Sequence, residues 1–259
     1  MIYISHLLED EEMREVVAQT GAGVESIEFS VSENLDSLDD KISTYEKRIK
    51  TMGTERLTLH GPFLDMNPMS YDSRIREVTM ERFTQAYEAG IRLGAEKIVY
   101  HTCFLPTVYY LTDWAKRTAE FWNEFMEGKK GMQVLLENVY DLKPDAIVEV
   151  KELVESLDFK LCLDLGHAHC YSQLPLKTWI ESFGKHTGHI HVHDNCRGRD
   201  QHLGVGRGNI PYPEVLHEIR EQIGEVDCTI ECSTVEDVIL SCQVLQNIPM
   251  SRDESYTKI

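Results

Sequence analysis

Residues 133–164, QVLLENVYDLKPDAIVEVKELVESLDFKLCLD, hold one complete strand–helix–strand unit. QVLLE and KLCLD are short apolar runs of the kind found in strands covered on both faces. Between them, Pro144 suits a first helical position, and a helical pattern follows to about residue 156. Each run closes on a carboxylate, Glu137 and Asp164. A charged group at the end of a buried strand is costly unless it is paired or coordinated. The unit therefore predicts a parallel sheet and a chemical site at its strand ends.

The same unit repeats along the chain. Strands are expected near 1–5, 26–30, 56–61, 97–102, 133–139, 159–165, 187–194 and 226–232. Helices are expected near 8–20, 36–51, 72–93, 111–128, 144–156, 175–184, 212–222 and 234–245. Ile75, Thr79, Phe83, Ala86, Gly90 and Leu93 keep a helical period, Pro213 suits a helix start, and Ser233 with Glu236 has capping-box spacing. Eight βα units in 259 residues predict an α/β fold, a single (β/α)8 TIM barrel spanning residues 1–259. A doubly wound sheet would not bring so many strand ends to one point. No linker or low-complexity stretch marks a second domain, and the polar tail after Asn247 is expected on the surface.

Composition narrows the function. The net charge of −18 disfavours broad electrostatic binding to nucleic acid or an anionic membrane, while leaving room for a local basic groove. No apolar run approaches the ~20 residues of a membrane span. The start, MIYISHLLEDEE, lacks the basic and long apolar regions of a signal peptide. Seven cysteines without a C-x-x-C pair fit a reducing compartment, so a cytoplasmic location is expected.

Six strands end on metal-type side chains: His60, His101, Glu137, Asp164, His191 and Glu231. In a barrel all strand C-termini open on one face, so the six would converge. Glu137, Asp164, His191 and Glu231 make a donor set suited to Mn²⁺, Mg²⁺, Co²⁺ or Zn²⁺, and the local sequence offers these strand ends no basic partners. His60, His101, His167, Asp200 and His202 bring the candidates to nine. One ion needs four to six donors, so nine imply two or three ions, or one ion plus histidines that bind substrate. His193 shares the strand face of His191 and is expected behind a ligand, whereas Asp194 points away and reads as structural. Gly204, Gly206 and Gly208 read as a flexible or anion-binding loop, with Arg197 and Arg207 as candidates for holding a phosphate or carboxylate. Gly61, Pro62 and Phe63 read as a turn that sets His60, with Phe63 lining a pocket.

The stretches HGPFLDMNP, IVYH, LLENV, CLDLGHAH, HVHDN, DQHLGVGRGNIP and TIEC, between residues 60 and 232, resemble the xylose isomerase-like TIM barrel superfamily. That group includes sugar and sugar-phosphate isomerases and epimerases, and endonuclease IV-like AP endonucleases. The resemblance to the epimerases implies one divalent metal on Glu137, Asp164, His191 and Glu231. It also implies that Glu137 and Glu231 carry protons as base and acid, with His60, His167 and Arg207 positioning a small sugar or sugar phosphate. The expected activity is isomerisation or epimerisation by proton transfer through a metal-bound enediolate. The resemblance to the nucleases implies three zinc ions on His60, His101, Glu137, Asp164, His167, His191, Asp200, His202 and Glu231, and phosphodiester hydrolysis at abasic sites. Two departures count against this second reading. DLGHAHCYS lacks the Thr-Cys pair of the nuclease signature, and SVSENLD shows no basic or aromatic DNA-inserting residue. Barrels of this kind often form homo-oligomers, although no distinctive interface signal stands out.

Overall fold

The computed structural model describes residues 1–247, so the expected surface position of the tail lies outside the described residues. Eight parallel strands close a barrel in sequence order, with β8 pairing back to β1. They are β1 (Ile2–Ser5), β2 (Gly23–Ser26), β3 (Leu57–His60), β4 (Lys97–His101), β5 (Gln133–Glu137), β6 (Phe159–Asp164), β7 (Thr187–Val192) and β8 (Cys228–Ile230). The helices outside them are α1 (Asp10–Thr20), α2 (Leu38–Met52), α3 (Ser73–Leu93), α4 (Trp114–Met126), α5 (Asp145–Leu153), α6 (Leu165–Tyr171), α7 (Leu176–Phe183), α8 (Tyr212–Gln222) and α9 (Val235–Asn247). Among the described residues, no helix is long and apolar enough to cross a membrane.

The expected barrel is the observed one, with local corrections. β2 ends at Ser26 instead of starting there. Only glycine fits at position 23, where a Cβ would lie 2.5 Å from the Tyr3 ring. The Ile27–Phe29 stretch that suggested a strand, apolar at Ile27 and Phe29, turns instead into a 3₁₀ segment, Glu28–Ser30, with Phe29 packed edge-on to Tyr45. The segment after β6 is a helix, α6, where no element was predicted. The Asp164 carboxylate accepts from the His167 N–H at 2.6 Å and caps it. At α9 the cap is Thr234 with Asp237, one residue beyond the expected Ser233 and Glu236. Ile75 on α3 is 44% exposed, while Thr79, Phe83, Ala86 and Gly90 face inward.

The core outside the barrel is aromatic on the α3–α4 side. Phe83 stacks on Tyr100 at 4.3 Å and on Trp122 at 5.5 Å. Gly61 lies against this cluster: a Cβ there would sit 2.2 Å from the Tyr100 ring, so the chain can turn after His60 only without a side chain.

Inside, the barrel departs from the usual filling of branched apolar side chains. Val99, Leu135 and Cys162 form a small apolar cluster. Elsewhere the lumen is polar. Thr58 and Thr229 both donate to the fully buried Glu25 carboxylate, at 3.0 and 2.9 Å. His189 meets Thr229 at 2.7 Å, and Lys97 pairs with Asp227 at 2.7 Å near the opposite end.

Candidate metal centre and pocket

The C-terminal ends of β3 to β8 bring the predicted donors together. His60 Nε2 lies 3.3 Å from Glu137 Oε2 and 3.1 Å from His101 Nε2, and His101 lies 3.4 Å from the same carboxylate oxygen. His167 Nδ1 lies 3.3 Å from both Glu137 Oε1 and Asp164 Oδ2. His191 Nδ1 sits 3.3 Å from Glu137 Oε1 and 3.3 Å from Glu231 Oε1. The loop after β7 adds Asp200, whose Oδ2 is 3.2 Å from His167 Nε2 and 3.1 Å from His202 Nε2. Eight of the nine candidates belong to overlapping donor sets, His60–His101–Glu137, Glu137–Asp164–His167, Asp164–His193–Glu231 and His167–His193–Asp200–His202. His191 falls in a separate set, Glu25–His189–His191, and meets the others through its contacts with Glu137 and Glu231.

The fold orients these side chains before any ligand arrives. Nδ1 of His60 hydrogen-bonds to the Gly61 carbonyl at 2.9 Å, and Nδ1 of His202 to the Glu231 carbonyl at 2.9 Å. His167 Nδ1 makes the same kind of contact with the Asn138 carbonyl at 3.1 Å. A carbonyl accepts a proton and nothing else, so each ring presents Nε2 to the site. Asn138 ties β5 to β6, accepting from the Asp164 N–H at 2.9 Å and donating to the Asp164 carbonyl at 3.0 Å.

Asp194 organises the loop that delivers Asp200 and His202. Its carboxylate accepts from the N–H groups of Asn195, Gly206, Gly208 and Ile210 at 2.8 to 3.1 Å. The glycine loop does bind an anion, but that anion is the protein's own. Gly208 must be glycine, since a Cβ would fall 2.3 Å from Asp194 Oδ1.

Arg207 does not join the cluster. Its guanidinium pairs with Glu236 and with Asp237, the latter at 2.7 Å. Arg197 reaches the Ser172 carbonyl at 3.4 Å. Among the described residues, no lysine or arginine lines the pocket over the donors. That pocket holds about 300 Å³, and Phe63, Tyr140, Tyr171, Leu7 and Ile27 form its apolar and aromatic walls.

Sequence reading missed Glu25. Its Oε1 lies 3.2 Å from His191 Nε2, on the side of the ring away from the donors. His193, expected behind a ligand, lies 3.2 Å from Asp164 and stacks on the His202 ring with centroids 3.9 Å apart. A signal for Glu25 did exist: a glutamate two residues after Gly23, in phase with the inward face of β2. It was obscured because the strand was placed three residues too late.

The residues fit a divalent metal. Glu137 Oε2, Asp164 Oδ2, Asp200 Oδ1 and both nitrogens of His191 and His193 are buried without a hydrogen-bond partner. Orphaned polar atoms of this kind are rare without an ion or water between them. Burial alone would raise the Glu137 carboxyl, but His191, His101 and His167 hold it well below the usual range. Burial pushes His101 down to about 3, a neutral imidazole ready to coordinate. Burial also works against charge on His167 and His202. Even so, Asp164, Asp200 and Glu137 hold His167 well above its ordinary value, and Asp200 and Glu231 bring His202 to about 9.

His191 is likewise held well above its ordinary value, against burial, by Cys162, Glu231, Glu25 and Glu137, so a metal on its Nδ1 must displace a proton. Metal added to the metal-free protein at pH 7 is therefore expected to release at least one proton per ion. Apparent affinity should rise about tenfold per pH unit for each proton released. Indicator-dye titration in weak buffer measures this, and uptake without acidification would contradict a protonated His191.

Asp141 braces the rim next to the site, accepting from the Thr102 hydroxyl at 2.7 Å and the Val139 N–H at 3.1 Å. Burial pushes its carboxyl from 3.8 up to about 6. A raised carboxyl contributes stability below its unfolded value of 3.8 and loses it as pH rises through about 6. Asp141→Asn is thus expected to be more stable than the parent by roughly 1–2 kcal/mol at pH 8 and equal to it below pH 4. Denaturant melts at the two pH values would show this, and a variant weaker at pH 8 would refute it.

Comparison with known proteins places this geometry in a family. Two curated relatives are the uncharacterized proteins MJ1311 and MJ1614 of Methanocaldococcus jannaschii. MJ1311 is 26% identical over 83% of this chain and 78% of its own length. MJ1614 is 28% identical over 74% and 77%. Among solved structures, a D-tagatose 3-epimerase-like protein superposes with a TM-score of 0.77 at 23% identity, covering 95% of each chain. The TTHB071 protein from Thermus thermophilus, soaked with ZnCl₂, gives 0.76 at 22% identity, covering 94% of this chain and 97% of that one. A D-psicose 3-epimerase structure determined with D-fructose gives 0.70 at 18% identity, covering 92% and 89%. At these identities the likeness carries the barrel. Residues 16–247, which hold all nine donors, match the family described as the xylose isomerase-like TIM barrel, and the chain belongs to that family.

Proposed function

We propose that this protein is a divalent-metal-dependent isomerase or epimerase of a small, unphosphorylated sugar. One observation carries the reading. His191 Nδ1 stands 3.3 Å from an oxygen of Glu137 and 3.3 Å from an oxygen of Glu231, under a pocket of about 300 Å³. The two glutamates close β5 and the end of β8, three strands apart in an eight-strand ring, and so approach a ligand from opposite sides of the mouth. That arrangement suits one carboxylate removing a proton beside a carbonyl and the other delivering a proton to the opposite face. Proton transfer of this kind is worth roughly 10²–10⁴-fold.

Glu137, Asp164, His191 and Glu231 would hold the metal. When bound, it supplies Lewis-acid polarisation of adjacent sugar oxygens. His60 and His167, with their Nδ1 atoms held by carbonyls, hold the substrate hydroxyls through Nε2. The aromatic walls exclude water. The lack of a lysine or arginine among the described residues of the pocket wall favours a neutral sugar over a sugar phosphate. The epimerase names among the structural neighbours agree with this class.

The test is proton NMR of D-fructose, D-psicose and D-tagatose with the Mn²⁺-, Co²⁺- or Zn²⁺-loaded protein in D₂O. Conversion with deuterium entering beside the carbonyl is expected. No conversion and no exchange with any of the metals would sink the proposal.

One observation favours a second reading, zinc-dependent phosphodiester cleavage at abasic DNA. Asp200, His202 and His101 complete nine donors, more than one ion uses. About three tightly held zinc ions per chain, together with incision of an abasic duplex, would move that activity to first place.

A further inference from the structure

A second cavity, of about 420 Å³, opens beside the reaction pocket between the loops after β3, β4 and β5. The two share Phe63, His101, Val139 and Tyr140 as a common wall, so they adjoin. The Phe63 ring stacks on His101 with centroids 4.5 Å apart and forms part of that divide. Beyond it the lining turns mostly apolar, with Asp65 as the charged residue among the described lining. Phe104 and Met66 are buried in the lining, while Leu64, Ile75 and Leu105 stand 62%, 44% and 41% exposed. Asn67 and Tyr109 hydrogen-bond to each other, so neither needs a ligand to satisfy it. No lysine or arginine is among the described lining residues.

Two residues of these loops, Asp65 and Cys103, hold left-handed backbone at φ of 63° and 53°. For side-chain-bearing residues such conformations are uncommon and tend to cluster at ligand-binding loops. A concave apolar site with an ordered floor and water-exposed leucine and isoleucine walls gains free energy by burying an apolar group. Its place across one shared wall from the reaction pocket argues for a group carried on the same ligand.

We infer that the substrate is larger than a free monosaccharide and carries a neutral aryl or alkyl substituent, which this second cavity takes while the sugar faces the carboxylates. The inference rests on the sugar reading for what the substituent is attached to, but the cavity can be tested separately from that reading.

The experiment titrates the full-length protein with D-fructose, with 6-O-methyl- and 6-O-benzyl-D-fructose, which keep the C2 carbonyl free, and with benzyl alcohol alone, following ligand signals by saturation-transfer NMR. Leu105→Glu and Ile75→Glu place a carboxylate in the apolar wall from exposed positions, so both variants should fold. The benzyl ether is expected to bind at least tenfold more tightly than the methyl one. That ratio should fall close to one in both variants, with methyl ether binding unchanged. A benzyl ether that binds no more tightly than the methyl one in the parent, or a ratio undiminished in both variants, overturns the inference. If D-fructose and both ethers fail to bind, the sugar reading has failed and benzyl alcohol decides. Binding that Leu105→Glu removes sustains the subsite, and no binding in the parent overturns it.

Discussion

Glu137→Gln is expected to lower turnover by at least about 10³-fold while the barrel stays folded. Three effects combine. Glu137 is a proposed proton carrier, and loss of general acid–base catalysis alone costs roughly 10²–10⁴-fold. It is also a common carboxylate, with Oε2 facing His60 and His101 and Oε1 facing His167 and His191. Glutamine replaces a charge-assisted acceptor with a neutral amide, which weakens metal binding. Finally, the surrounding imidazoles lose the anion that favours their charged forms. The fold should persist because β5 is held on both sides by its ladders to β4 and β6, and glutamine matches glutamate in volume. Steady-state kinetics with saturating metal, alongside circular dichroism, separates the effects. Near-parent turnover in a metal-loaded variant would remove Glu137 from the mechanism.

Glu25→Gln should weaken metal binding by about 10–100-fold without touching a donor. His191 turns Nδ1 toward Glu137 and Glu231 and Nε2 toward Glu25 at 3.2 Å. The carboxylate receives the ring proton, fixes the tautomer and strengthens the other nitrogen as a donor. Burial would raise Glu25, but His191, His189 and His60 hold it at about 2, so it carries full charge. Glutamine can still face His191 Nε2 with its carbonyl, and the hydroxyls of Thr58 and Thr229 can rotate to accept from its amide. The loss therefore reports the missing charge and not a collapsed lumen. Competition against a chelator of known affinity measures it, and affinity equal to the parent's would show Glu25 to be a lumen filler. Glu25→Ala is the poorer test, since it leaves a cavity and the two threonines unpaired.

How much of this was legible in the sequence depended on the range of the interaction. Strand runs such as KIVYH and QVLLE announce themselves because both sheet faces are covered, so their middle positions are apolar. The donors at their ends were visible for the same reason: a metal-type side chain is conspicuous after three apolar residues. Barrel closure then brings such ends to one face whatever the loops do, which is why residues as distant as His60 and Glu231 line one pocket. Local polar chemistry was read less well. The cap of α9 falls on Thr234 because the helix starts one residue later than its pattern suggests. The helix after β6 depends on the Asp164 carboxylate serving as its N-cap.

The sequence by itself determined a (β/α)8 barrel and the donor types at its mouth, because hydrophobic periodicity and strand-end charge are properties of short windows. Only the tertiary structure decided the partners of the remaining charges. Arg207 could be offered to a substrate until the fold placed it against Glu236 and Asp237. The glycine loop could be offered a phosphate until Asp194 filled it. Glu25 finds Thr229 across 204 positions of sequence inside a barrel lumen that no local pattern describes. Electrostatic pairing acts through space, and its partners are set by how the strands close around one another.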